Sequence, residues 1–181
     1  MVAILSFARF ARADEEVANR PYIRVGQSGT CYAKAVPSAP QGTGGTTTVY
    51  SVEADGDKPL YSFSWYASSL SIECPPGPVY QDSAISLVRM GEWPRGHKAA
   101  ASQLAIAFYV RNRLVKQYST LDIAGSPENV VASKSHYRVI DHVLGYGLAD
   151  SKVFQIVTVD SRTLIFDPFT GDLVMARTVA K

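Results

Sequence analysis

The sequence has no long hydrophobic run, and this absence limits what the chain can be. Among its 181 residues, no apolar stretch approaches the roughly 18 consecutive residues that a membrane-spanning helix requires. The hydrophobic fraction is nevertheless 46%, which is ordinary for a globular protein and argues against disorder over most of the chain. These values predict a single soluble domain over residues 14–181 with a core of normal size.

Clusters of basic residues are also missing. The chain has 18 Lys and Arg residues against 16 Asp and Glu residues, and two of the arginines, Arg9 and Arg12, lie within residues 1–13. Without that segment the formal net charge falls from +2 to zero. Arg111 and Arg113 lie close together, but they flank a predicted turn, where charged side chains are normally solvated. Since nucleic-acid binding depends on concentrated positive charge, we expect no nucleic-acid partner.

Recognisable catalytic and metal-binding motifs are absent too. The histidines, His97, His136 and His142, lack zinc-site spacing, and the sequence has no calcium-binding loop and no Gly-x-Ser-x-Gly elbow. Asp141 precedes His142, and because neighbours on a strand point to opposite faces, we expect no catalytic pair between them. The sequence therefore predicts no metal and no cofactor. An enzyme, the less favoured interpretation, would be a small cell-envelope hydrolase using His97 or His136 with a carboxylate.

Cysteine is scarce, with only Cys31 and Cys74 in the chain. In an oxidising compartment a disulfide between them would close a loop of about 43 residues and stabilise the fold by roughly 3–4 kcal/mol. Two buried free thiols are the alternative for a cytosolic chain. A reactive cysteine is disfavoured, because no neighbouring histidine or basic residue would activate it.

The N-terminal segment favours the oxidising compartment. Residues 1–13 contain a short apolar run followed by Ala11-Arg12-Ala13, which is similar to the end of a secretory signal with its cleavage site. We therefore expect an exported protein, periplasmic or secreted. If the segment is instead an ordinary apolar strand or helix, the protein is cytoplasmic.

Most of the remaining sequence has the pattern of β-strands. Three segments, each an apolar run, a polar turn and a second apolar run, align so that Tyr50, Tyr109 and Phe166 correspond. These predicted hairpins are residues 47–63, 104–119 and 164–177. Further strands are predicted at residues 31–36, 68–74, 84–90, 135–143 and 152–159. Helix-favouring sequence is confined to residues 98–105 and to a single turn at residues 126–128. The pattern predicts an all-β fold built from three antiparallel meander repeats.

The third hairpin, RTLIFDPFTGDLV at residues 162–174, resembles the inner hairpin of bacterial β-propeller repeats. The other two hairpins share its pattern only. The resemblance implies propeller-like blades, and since three blades are too few for a closed ring, two chains would have to complete a six-bladed one. A β-trefoil-like barrel and a β-sandwich are the alternatives, because an open meander would leave edges that invite pairing.

One irregular loop is the main candidate for binding. Trp93 would supply a stacking face, Arg95 a bidentate donor and His97 a titratable group, a combination suited to an anion or a sugar. In the alternative interpretation Trp93 fills the core and Arg95 pairs with Glu92 or Asp82.

Two more candidate ligand-binding residues lie further along the chain. His136 is flanked by polar residues. The side chain of Asp122 would line a groove, although the favoured interpretation is that it caps a tight turn with Ser119 and Thr120. The sequence thus predicts an exported binding or assembly module whose partner is a second copy of itself, another envelope protein or a glycan.

Overall fold

The computed structural model describes residues 17–80, 83–147 and 153–178, and these form an all-β protein. Sheet I contains β1 (Tyr22–Val25), β2 (Cys31–Pro37), β3 (Gly45–Ser51) and β4 (Lys58–Phe63). Sheet II contains β5 (Leu70–Glu73), β6 (Ser86–Met90), β7 (Leu104–Val110) and β8 (Arg113–Ser119). A helix and two short strands that pair with each other follow, namely α1 (Thr120–Ala124), β9 (Val131–Ala132) and β10 (Tyr137–Arg138). Sheet III contains β11 (Ile140–Tyr146), β12 (Phe154–Thr158), β13 (Arg162–Phe166) and β14 (Leu173–Thr178).

Each of the three large sheets is an antiparallel meander in which strands adjacent in the chain are adjacent in the sheet. Sheet II lies between the other two. Leu87 and Tyr109 point into a core shared with sheet I, whereas Val88 and Phe108 point into a second core shared with sheet III. Alternation of side chains along a strand explains why neighbouring residues enter different cores. The near-continuous apolar run of β7 follows from burial on both of its faces.

The three predicted hairpins are present, and each carries a β-bulge at the same place. The pairing register shifts between Val49 and Tyr50, between Phe108 and Tyr109, and between Ile165 and Phe166. The residues that align in the sequence therefore each follow a bulge. A bulge bends its strand and increases the local twist, so the three hairpins have the same local distortion.

The predicted disulfide is confirmed. Cys31 and Cys74 are bonded, with 5.8 Å between their Cα atoms, and both are buried in the core between sheets I and II. Because Cys31 begins β2 and Cys74 follows β5, the bond links the two sheets covalently. Gly26 lies directly against it, since a Cβ atom at that position would be 2.3 Å from the Cys74 Sγ.

Several details differ from the sequence-based expectations. The helix prediction at residues 98–105 is wrong, because that segment is a series of turns followed by the start of β7. Residues 126–128 also form a turn, and the one helix among the described residues is α1. β1 was not predicted, because only its first residue, Tyr22, is even half-buried and its side chains give no clear alternation. The suggested signal segment lies outside the described residues, in which no helix is long and apolar enough to cross a membrane.

Candidate functional site

The loop that contains Trp93 is held in place by backbone pairing with a segment about forty residues further along the chain. Arg95 and His136 form an antiparallel bridge. On either side of it, the Gly96 amide donates to the Ser135 carbonyl at 2.8 Å and the Tyr137 amide donates to the Pro94 carbonyl at 3.0 Å. Because β10 also pairs with β9, this bridge places the loop beside that pair of strands.

This pairing stacks the side chain of Trp93 on that of His136. The ring centroids are 4.5 Å apart and the planes differ by 22°. His136 is buried, with 4% of its surface exposed, and its Nδ1 lies 2.9 Å from the Ser135 hydroxyl oxygen, whereas 43% of the Trp93 surface remains exposed. The arrangement presents an indole that is supported from beneath and accessible from solvent.

A buried hydroxyl connects the loop to the rest of the scaffold. Thr120 Oγ1 donates to the Ala100 carbonyl at 3.0 Å and accepts from the Ala100 amide at 2.9 Å. It also lies 2.8 Å from the hydroxyl of Tyr137, which neighbours His136. The segment that follows Trp93, the start of α1 and strand β10 therefore meet at one residue.

The opposite end of α1 is fixed by a second network. Arg162 donates from Nη2 to the carbonyls of Ile123 and Ala124, and its Nε lies 2.6 Å from a carboxylate oxygen of Asp160. Partial burial alone would raise the pKa of Asp160, but hydrogen bonds from Arg162, Thr158 and Asn129 outweigh it and lower the pKa to about 2. This ion pair anchors the helix, and with it the scaffold of the loop, to the β12–β13 turn.

Trp93 and Arg95 line an open cavity of about 650 Å³. Its walls come from the segment before β1, the β2–β3 and β4–β5 connections, and the β6–β7 loop. Uncharged polar side chains provide much of the lining, and these are Asn19, Gln41, Thr43, Ser68 and Gln103. Glu92 adds a negative charge opposite Gly42, where its Oε1 lies 3.9 Å from the position a Cβ atom would occupy. The volume is within the range of about 300–1,000 Å³ that is common for small-molecule sites.

The predicted ligand-binding residues do not all meet here. Trp93, Arg95 and His136 lie together, and the exposure of Trp93 argues against the interpretation that it fills the core. His97 is exposed and does not line the cavity. Asp122 forms a capping box at the start of α1, in which it accepts from the Ser119 amide and its own amide donates to the Ser119 hydroxyl. A hydrogen bond from the Ser119 hydroxyl lowers the pKa of Asp122, as expected for a capping carboxylate.

The premise that the side chains of Asp141 and His142 point to opposite faces is wrong, although nothing here gives the pair a catalytic role. The His142 Nδ1 lies 2.7 Å from an Asp141 carboxylate oxygen, and Arg138 contacts the same carboxylate at 3.0 Å. The register of β11 against β12 shifts between Ile140 and His142, so Asp141 lies in a bulge and the usual alternation of faces is lost. About two thirds of the His142 side chain is exposed, so this contact lies at the protein surface.

The opposite end of the sheets contains a second cavity, of about 1050 Å³, lined by Glu53, Asp55, Lys58 and Tyr80 among others. The Ser51 hydroxyl donates to the Glu53 carboxylate at 2.9 Å, so the Glu53 side chain stabilises the β3–β4 turn. Among the described residues there is no group of three or more His, Cys, Asp or Glu side chains that could hold a metal ion.

A buried carboxylate lies close to this second end. Glu73, at the end of β5, is 7% exposed, and its Oε2 has no hydrogen-bond partner within the described part of the chain. Desolvation raises the pKa of Glu73, and a hydrogen bond from the Gln27 backbone opposes that effect. Nearby, the Tyr146 hydroxyl donates to the Ser86 carbonyl at 3.0 Å and the Ser86 hydroxyl donates to the Pro168 carbonyl at 2.9 Å.

Sequence reasoning located the loop but not the other walls of the cavity. Asn19, Gln41, Ser68 and Gln103 are scattered over more than eighty positions and belong to no motif. Neither the comparison with protein-family models nor the comparison with curated proteins finds a match to this chain. The functional argument therefore depends on the geometry of the site.

Proposed function

We propose that this protein is a binding module that holds its ligand in the cavity beside Trp93 and Arg95. The observation that carries the proposal is the exposed indole of Trp93, which is stacked on the buried ring of His136 and lines the same cavity as Arg95. A half-exposed indole contributes less to folding than a buried one, and the fixed position of Trp93 lowers the entropic cost of binding.

The hydrolase alternative receives no support from these contacts. His136 is covered by the indole of Trp93, so its ring has little access to a substrate. His97 is exposed, but within the described residues no carboxylate is paired with it. A general base must lie within hydrogen-bond reach of the proton that it abstracts.

The two tryptophans of the chain provide a direct test of binding. Trp65 stacks on Phe63 at 4.8 Å beneath the guanidinium of Arg89 and lies outside the cavity lining, so it serves as an internal reference. The protein is labelled with 5-fluorotryptophan, and the two ¹⁹F resonances are assigned with the Trp93→Phe variant. We expect a true ligand to move the Trp93 resonance and leave that of Trp65 unchanged. If no member of a panel of sugars, carboxylates, inorganic phosphate and short peptides does so, the proposal fails.

For the architecture, we propose that the three large sheets are propeller-like blades. In a propeller the first strand of each blade lies nearest the axis. Two contacts support this arrangement, since Arg24 Nε on β1 donates to the Leu70 carbonyl on β5 at 3.1 Å, and Gln27 donates to the Tyr146 carbonyl on β11 at 3.2 Å. The matching bulges support a repeat origin for the hairpins.

We further propose that two copies form a six-bladed ring, in which sheet I of each copy packs on sheet III of the other. The face of sheet I that points away from sheet II exposes Ile23 by 60% and Val25 by 51%, and the corresponding face of sheet III exposes Met175 by 39%. In the ring, each of these two faces would be covered by a sheet of the other copy, just as the two faces of sheet II are covered by sheets I and III. Such a head-to-tail contact closes into a ring when the rotation permits it.

Light scattering of the purified protein tests the ring. We expect the mass of a dimer, and we expect Ile23→Lys to convert it to a monomer. A monomeric wild-type protein would overturn the composite ring without affecting the binding proposal.

We also propose that the protein is exported. A disulfide between sheets is typical of proteins that fold in an oxidising compartment, which favours the periplasm or the cell exterior. Fusion of residues 1–13 to a reporter that is active only after export would test this; retention in the cytoplasm contradicts it.

A further inference from the structure

We propose that the ligand of the cavity beside Trp93 is a neutral glycan, bound with the apolar face of one sugar ring on the indole. This inference rests on the proposed binding function and narrows it, because the loop by itself is equally suited to an anion or a sugar.

The charges around the cavity favour an uncharged ligand. Among the described residues that line the cavity, Arg95 is the one cationic side chain, and Glu92 places a carboxylate in the same wall. The formal charges of these two described side chains cancel, so together they provide no net attraction for an anion. An anion that approached Arg95 would also meet the repulsion of Glu92. Phosphate and carboxylate sites typically present several donors without a competing acid.

The uncharged side chains match the chemistry of sugar hydroxyls. Each hydroxyl both donates and accepts a hydrogen bond, and so do the amides of Gln41 and Gln103 and the hydroxyls of Thr43 and Ser68. None of these four side chains makes a hydrogen bond to the protein within the described residues. Each would exchange a water for a ligand hydroxyl without breaking a contact that the fold needs.

The Asn19 amide has a different role. Its Nδ2 donates to the Gly42 carbonyl at 2.8 Å, and the Asn19 backbone amide donates to the Pro40 carbonyl at 2.8 Å. These bonds hold the β2–β3 connection against the segment before β1. The wall that contains Gln41 and Thr43 is therefore positioned before any ligand arrives.

The indole supplies the remaining element of sugar recognition. The face of an aromatic ring carries partial negative charge, which attracts the weakly positive C–H groups on the apolar face of a pyranose. Trp93 is fixed by its stack on His136, so little side-chain freedom is lost on binding. Arg95, two residues away, is held by the backbone bridge in the same wall of the cavity.

The ¹⁹F-labelled protein tests this inference with defined probes. We would titrate it with maltotriose, cellotriose and triacetylchitotriose as neutral trisaccharides, and with trigalacturonate, inorganic phosphate and an acetylated tripeptide as competitors of other classes. We expect at least one neutral trisaccharide to move the Trp93 resonance with saturation. Trp93→Ala should weaken that binding by tenfold or more, and Gln103→Ala by several-fold.

The matched control is Tyr80→Ala, since Tyr80 is an exposed aromatic residue that lines the cavity at the other end. It should leave trisaccharide affinity unchanged. If trigalacturonate, phosphate or the peptide moves the Trp93 resonance and no neutral trisaccharide does, the glycan inference is overturned while the binding function stands. If no probe moves it, both are overturned.

Discussion

The two ends of the sheets are built differently. At one end, which we call the disulfide end, the β1–β2, β3–β4 and β7–β8 connections are short, covering residues 26–30, 52–57 and 111–112, whereas the β5–β6 connection, residues 74–85, is long. The Cys31–Cys74 bond and the buried Glu73 and Tyr146 side chains lie close to these turns. At the other end, the cavity end, the connections include residues 38–44, 91–103 and 120–139.

We infer that the disulfide end contributes mainly to stability and the cavity end mainly to ligand binding. The covalent link between sheets I and II lies at the disulfide end, whereas the long loops that line the cavity beside Trp93 lie at the other end. Loops on a rigid scaffold are where binding residues usually lie. Substitutions at the first end should therefore change the free energy of unfolding, and substitutions at the second should change ligand affinity.

The largest expected effect is that of removing the disulfide. Replacing both Cys31 and Cys74 by Ser reopens a loop of 43 residues, which should lower the free energy of unfolding by about 4 kcal/mol. Urea denaturation measures this loss. Under native conditions the ¹⁹F resonance of Trp93 should keep its position, because that residue is at the other end; a shift would show that the two ends are coupled.

A smaller loss is expected from Tyr146→Phe. The variant removes a fully buried hydroxyl that donates to the Ser86 carbonyl, and it leaves that acceptor less well satisfied, at a cost of about 1–2 kcal/mol. Tyr50→Phe is the control, since Tyr50 is half-buried and its hydroxyl makes no hydrogen bond among the described residues. Equal stability of Tyr146→Phe and wild type would contradict the structural role of this hydroxyl.

Glu73→Gln should raise the free energy of unfolding, unlike the two variants above, and the size of this gain should depend on pH. Burial raises the pKa of Glu73 above its ordinary value of 4.5, so the folded state binds the proton more tightly than the unfolded chain. In the wild-type protein, the stabilisation that this proton binding to Glu73 provides is fully present below the unfolded-state pKa. It is lost as pH rises through the folded-state pKa. We therefore expect Glu73→Gln to be more stable than wild type near pH 7 and to lose that advantage near pH 4. Guanidinium denaturation at both pH values measures the difference, and a variant less stable than wild type near pH 7 would refute the prediction.

The smallest effect on stability is expected for Trp93→Ala. Because the indole is half-exposed and its main contact is the stack on His136, its removal should cost about 1 kcal/mol or less. Thermal unfolding measures this cost, and the same variant should show the loss of ligand affinity described above. A destabilisation of about 3 kcal/mol or more, as for a truncated core aromatic, would mean that Trp93 serves the fold instead.

How far the sequence could predict the structure depended on the range of the interactions. The hairpins were predictable because each needs only an apolar run, a turn and a second apolar run, as in β7 and β8 around Arg111 and Asn112. The helix at residues 98–105 was predicted from propensity, but hydrogen bonds of Ala100 with Thr120 hold those residues in turns instead. Tertiary contacts of this kind routinely override a weak local preference.

In the candidate site too, residues with a local sequence signal were predictable and residues brought in by tertiary contacts were not. Trp93 and Arg95 were found because they share a short irregular loop, whereas Gln41 and Ser68 have no local signal and reach the cavity only through the packing of sheet I on sheet II. The sequence left two roles open for Asp122, lining a groove or capping a turn. The capping box with Ser119 shows that it caps the start of α1. The contact of Asp141 with His142 depended on a bulge that the alternating pattern does not reveal.

By itself, the sequence determined the all-β class, the three hairpins and the pair of cysteines that can be joined, because strand patterning and turn chemistry act over a few residues. Only the tertiary structure decided that sheet II lies between the other two and that His136 supports Trp93. It also brought four separated segments together around one cavity. These features arise from side-chain packing between residues far apart in the chain, and a local pattern does not specify which distant surface an apolar face will meet.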